Sequence, residues 1–85
     1  MSIHISATAK ATRTVVKVDG RLHADDMEEL TRVLDSVQGP KELDLSELTS
    51  ADRTGVAALR ELISRGTEIR GASPYIELLL KSGQR

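Results

Sequence analysis

Residues 43–59 read Leu-Asp-Leu-Ser-Glu-Leu-Thr-Ser-Ala-Asp-Arg-Thr-Gly-Val-Ala-Ala-Leu, and inside this run the hydrophobic period changes. Its start alternates apolar with polar, the pattern of a strand with one buried face. A short polar turn follows, and from Val56 the apolar residues recur at helical spacing. Asp52 stands where a cap belongs, just before the helix. A strand feeding a capped helix leaves backbone N–H groups and a partial positive charge at one exposed point. That point is where the chain is expected to act.

The same two periods organise the rest. Ile3-His4-Ile5-Ser6-Ala7 alternates, and so does Thr14-Val15-Val16-Lys17-Val18-Asp19 apart from the extra Val15. Two such strands joined by the polar residues 9–13 predict a hairpin. Asp25 with Glu28 three residues later has the form of a capping box, and Met27, Leu30, Val33, Leu34 and Val37 then share one helical face. Gly39-Pro40 stops that helix. A third strand is expected over 42–46. Val56, Leu59, Leu62 and Ile63 make the expected buried face of the second helix, which Gly66 ends. Residues 67–70 read as a short fourth strand. Ser73-Pro74 supplies an N-cap and a first-turn proline for a last helix buried through Ile76, Leu79 and Leu80, with Leu78 beside them.

A hairpin followed by alternating strands and helices predicts an α/β sheet with parallel crossovers. Parallel sheets covered on both faces read as continuous apolar runs. Here Val16 and Val18 alternate with Lys17 and Asp19, and Leu43 and Leu45 with Glu42, Asp44 and Ser46. The expected fold is therefore a four-stranded mixed sheet with three helices on one face and much of the other face wet. Residues 1–85 form one domain, near the small end of what folds without staples.

Composition removes several function classes. The chain has no cysteine, hence neither disulfides nor thiolate metal sites, which fits a reducing cytosol. No cationic segment followed by an apolar stretch opens the sequence, and no apolar run nears the ~20 residues of a membrane span. A net charge of -1 and a single aromatic, Tyr75, speak against a nucleic-acid surface. His4 and His23 have no second histidine or carboxylate at metal-ligand spacing, and no serine sits on a nucleophile elbow. We therefore expect no catalytic residues, no metal and no cofactor. The acidic cluster Asp25-Asp26 and Glu28-Glu29 reads as complement to a helix dipole.

Gly55 and Arg53 do not have such plain readings. A glycine in the first turn of a helix costs about 1 kcal/mol relative to alanine. It serves either close packing of that turn on a strand or close approach of a partner. Arg53 brings a cation to the positive end of a dipole, a penalty of about 0.3–1 kcal/mol, so local stability does not explain it. At about 100° per residue, Arg53, Ala57, Arg60 and Ser64 line up as one exposed stripe. Thr54, Ala58, Glu61 and Arg65 form another beside it. Small residues flanked by charges suit protein recognition, although a solvated face with a Glu61–Arg65 pair has the same pattern.

Leu43-Asp44-Leu45-Ser46 and Asp52-Arg53-Thr54-Gly55 together resemble the STAS domain, the sulfate transporter and anti-sigma factor antagonist module. That family has a Leu-Asp-Leu-Ser strand, then Asp-Ser-Ser-Gly opening a helix. Val18-Asp19-Gly20-Arg21-Leu22 and Gly71-Ala72-Ser73-Pro74 resemble the approaches to its first and third helices, so the likeness spans most of the chain. It implies a sheet with helices largely on one side. It also implies a non-enzymatic, cytoplasmic, bacterial module that binds an anti-sigma factor of kinase type. The surface implied is Asp52, Arg53, Thr54, Gly55, Ala57 and Arg60. In the family, phosphorylation of the first motif serine ends binding, because a phosphate brings about two negative charges into the interface. Arg53 occupies that serine position, so the module is either unswitched or switched at Thr54. The resemblance equally allows an accessory ligand-binding or transporter-associated domain, with a transporter component as partner. The strand and helix that usually follow the family's third helix have no counterpart before Arg85. An edge strand is then uncovered, which allows a homodimer.

Overall fold

The computed structural model describes residues 3–82. Its strands are β1 (Ile3–Ala9), β2 (Thr14–Leu22), β3 (Lys41–Asp44), β4 (Leu48–Ala51) and β5 (Glu68–Arg70). Its helices are α1 (Met27–Ser36), α2 (Arg53–Ser64) and α3 (Pro74–Ser82), with a single 3-10 turn, Ala24–Asp26, leading into α1.

β2 is the spine of the sheet. On one side it pairs antiparallel with β1 along its length, from Ile3 opposite Gly20 to Ala9 opposite Thr14. On the other it pairs in parallel with β3, Val16 opposite Leu43, and then with β4, Leu22 opposite Ala51. β5 pairs in parallel with β3 beyond. The four expected strands are present with the expected directions, and β4 is an addition. It continues the line of β3 along β2, with a register shift at Gly20–Arg21 inside its own pairing, so the sheet stays four positions wide. Gly20 has φ +97, a left-handed conformation that L side chains rarely adopt, and its N–H reaches across to the Glu47 carbonyl at 3.0 Å.

The alternation of the strands sorts the two faces. Val16, Val18, Leu43 and Leu45 are fully buried and share one cluster with Leu30 and Leu34 of α1, Leu59 of α2 and Ile76 of α3. All three helices thus cover the same face. The opposite face carries Val15 across from Glu42 and Lys17 across from Asp44. Glu42 is only 7% exposed, because two arginines lie over it: Arg13 at 3.4 Å and Arg70 at 3.7 Å. Arg13 also bonds Glu68 at 3.1 Å, so this network joins the hairpin turn to β3 and β5.

Three sequence expectations need correction. The turn into α1 is closed by Asp26, whose carboxylate accepts the His23 N–H at 2.9 Å, and not by Asp25 with Glu28. Ile63 is 42% exposed and Leu78 61%, although both fall in the apolar periodicity of their helices. A sheet four positions wide is too narrow to cover the whole apolar face of α2 and α3. Ser73 caps α3 as expected, its hydroxyl accepting the Ile76 N–H at 3.2 Å.

Candidate functional site

Asp52 organises the start of α2. Its backbone N–H donates to the Leu22 carbonyl at 3.0 Å, which anchors it at the end of β2. One carboxylate oxygen accepts the Gly55 N–H at 2.8 Å, the bond of an N-cap. The other accepts the Ala24 N–H at 3.1 Å, from the turn that opens α1. The Gly55 amide is the main cause that holds the Asp52 carboxyl below its usual range; desolvation opposes it, and the Ala24 amide adds a smaller lowering of its own. A single side chain thus ties together the first turns of two successive crossovers.

Gly55 is buried, and the reason is steric. A Cβ there would lie 2.6 Å from the Leu22 carbonyl oxygen and 3.1 Å from Leu22 Cγ. The first turn of α2 sits directly on the end of β2, which decides between the two readings of this glycine in favour of close packing. Asp52 and Gly55 therefore build the site from within.

What they present outward is the remainder of the motif. Arg53, Thr54 and Ala57 are exposed, and Arg60 is half-buried on the same side of the helix. Arg53, Ala57 and Arg60 line a shallow groove with Ala51, Val56 and Leu79. The adjoining stripe holds the Glu61–Arg65 ion pair at 2.9 Å. Sequence spacing located the α2 part of this groove. It missed Leu79, which arrives from α3, and the Ala24 amide, which arrives 28 residues from Asp52. Neither has a local signal, since both contacts exist only once the crossovers are packed.

Asp44 caps the other turn at this end of the sheet. Its carboxylate accepts the Ser46 N–H at 3.0 Å, and that bond holds the Asp44 carboxyl below its usual range. His4 and His23 are both exposed, on β1 and ahead of α1. Among the described residues no three His, Cys, Asp or Glu side chains converge as a metal-ligand group. None of the helices described is long and apolar enough to cross a membrane. The groove has two cationic side chains, Arg53 and Arg60, beside the small side chains of Ala51 and Ala57.

No family model and no curated protein matches the sequence. Among solved structures, the chain is similar to an uncharacterised protein of the DUF3478 family, with a SpoIIAA-like fold, from Shewanella loihica PV-4. The TM-score is 0.53 at 20% identity, over 80% of this chain and 62% of the other. This chain therefore spans less than two thirds of that protein's length. At that identity the likeness shows the fold alone, and it agrees with the mixed α/β sheet and three helices expected from the sequence.

Proposed function

We propose that this protein is a non-enzymatic regulatory module that binds another protein in the manner of an anti-sigma factor antagonist. Binding runs through the loop at Asp52 and the exposed stripe of α2. The observation that carries this reading is the division of labour within one motif. Asp52 and Gly55 are spent on fixing the helix start, while Arg53, Ala57 and Arg60 line a shallow groove and Thr54 is exposed beside Arg53. The SpoIIAA-like fold supports the class of module, and the groove supports the place. The partner is a cytoplasmic anti-sigma factor of kinase type with an acidic contact surface, matched to Arg53 and Arg60.

Arg53 has no hydroxyl to phosphorylate, so control by phosphate at that position is absent. Thr54 is the neighbouring hydroxyl and is exposed. A phosphate there would sit at a helix N-terminus, where its charge is favoured, while changing the sign of the contact surface.

Affinity capture with the purified chain, followed by titration of the recovered partner, tests the reading. Arg53→Glu is expected to weaken binding about ten-fold or more at low salt, with a smaller deficit at high salt as screening shrinks the charge contribution. Ala57→Arg should block binding by bulk while circular dichroism stays unchanged, arginine being a good helix former. Two folded variants that bind like the parent would remove this surface from consideration. Mass spectrometry after incubation with that kinase decides the switch: phosphate on Thr54 marks a shifted switch, and none marks an unswitched module.

A further inference from the structure

We propose that β1 forms the interface of a symmetric homodimer, two copies joining their sheets through antiparallel β1–β1 pairing centred on Ser6. Among the described residues the sheet ends in β1 on one side and in the short strands β4 and β5 on the other, and the two sides differ in kind. β5 has three residues, two of them charged, and Glu68 is held in an ion pair. Short length and charge are the usual guards of an edge. β1 has seven residues, Ile-His-Ile-Ser-Ala-Thr-Ala, with no lysine, arginine, acid, proline or glycine among them. Among the described residues it pairs with β2 along its whole length and with no strand on its outer side. Its outer edge is a continuous row of backbone donors and acceptors without a guard.

The strand's own sequence names the occupant. About a two-fold axis at Ser6, Ile3 faces Ala9 of the second copy, Ile5 faces Ala7, His4 faces Thr8, and Ser6 faces itself. Residues on one face of the sheet meet only residues on that face, which antiparallel pairing requires. On the helix-covered face each large isoleucine meets a small alanine, so side-chain volume is even along the seam. Ile3 and Ile5 already pack against the core, whereas Ala7 and Ala9 are exposed in the single chain. On the open face all facing pairs are polar and none sets two acids or two basic chains together. An unrelated peptide would have to supply this complement, and β1 supplies it itself. The arrangement is isologous and closes at two copies. α2 packs on β4 and α3, across β2 from this edge, so the dimer leaves the groove at Arg53 free and the proposal stands apart from the function above.

Sedimentation equilibrium of the intact chain over about a hundred-fold range of concentration should show a monomer–dimer equilibrium. Ser6→Lys sets two ammonium groups opposite each other and should weaken the dimer about five-fold, with circular dichroism as the folding control. Mixing Ser6→Lys with Ser6→Glu chains should restore it as a mixed pair. The chain has no cysteine of its own, so Ser6→Cys gives a clean second measurement. Facing cysteines on the axis lie within disulfide reach and should cross-link on mild oxidation, whereas Thr12→Cys in the exposed hairpin turn should not. A chain that stays monomeric throughout, or a dimer insensitive to charge at position 6 and without the Ser6→Cys link, overturns the proposal.

Discussion

At the scale of single residues, two positions shape the start of α2 and each makes a prediction. Gly55→Ala sets a helix-propensity gain of about 1 kcal/mol against the displacement of a backbone carbonyl. With 2.6 Å between the new Cβ and the Leu22 oxygen, displacement wins. The variant should lose about 1–2 kcal/mol in urea unfolding, where a glycine kept only for partner access would have gained stability on substitution. Asp52 makes a prediction about acid. Its folded pKa lies below the ordinary 3.8, so its contribution is complete above 3.8 and is lost as pH falls through the lower folded value. Asp52→Asn keeps one acceptor for Gly55 but has no charge to lose. It should be less stable than the parent at neutral pH, and the gap should close as pH is lowered below 3.8. Thermal melts at stepped acid pH measure it.

At the scale of elements, the periods of two and 3.6 were sufficient for the hairpin, two further strands and three helices, because each has its own alternation or stripe. β4 escaped because Leu48-Thr49-Ser50-Ala51 has one large apolar residue and takes its strand character from β2, some thirty residues upstream. Ile63 and Leu78 escaped for a different reason: periodicity reports a helix's apolar face, and only the sheet's width says how much of it is covered. Glu42 combines both lessons. Alternation placed it on the polar face, but not beneath two arginines. Arg13→Ala should destabilise by about 1 kcal/mol in urea unfolding, because Glu42 loses the nearer of its two cations while Arg70 remains. The loss should shrink in the Arg13→Ala/Glu42→Gln pair, which leaves no buried carboxylate to compensate, Glu68 being exposed.

At the scale of the whole molecule, the site is a product of order along the chain. A strand end, a cap and a helix start were legible at residues 52–55 because they are contiguous, and so was the outward stripe of α2. The groove's far wall was not, since Leu79 reaches it only when α3 returns over β4. Among the described residues, ten buried apolar side chains hold three helices to one face of a narrow sheet, so there is little redundancy between the parts.

The two hydrogen bonds of Asp52 give that lack of redundancy a measurable form. Ala24 and Gly55 lie far apart in sequence, yet their amides are sheltered by the same carboxylate. Neither can open to solvent without slackening the hold on the other, so the starts of α1 and α2 should belong to one cooperative unit in native-state hydrogen exchange. Their protection factors should fall together in low denaturant and together in Asp52→Asn. A partner seated on α2 alone should slow exchange at Ala24, a residue it never touches. Independent exchange at the two amides would mean that the carboxylate caps one helix and merely neighbours the other.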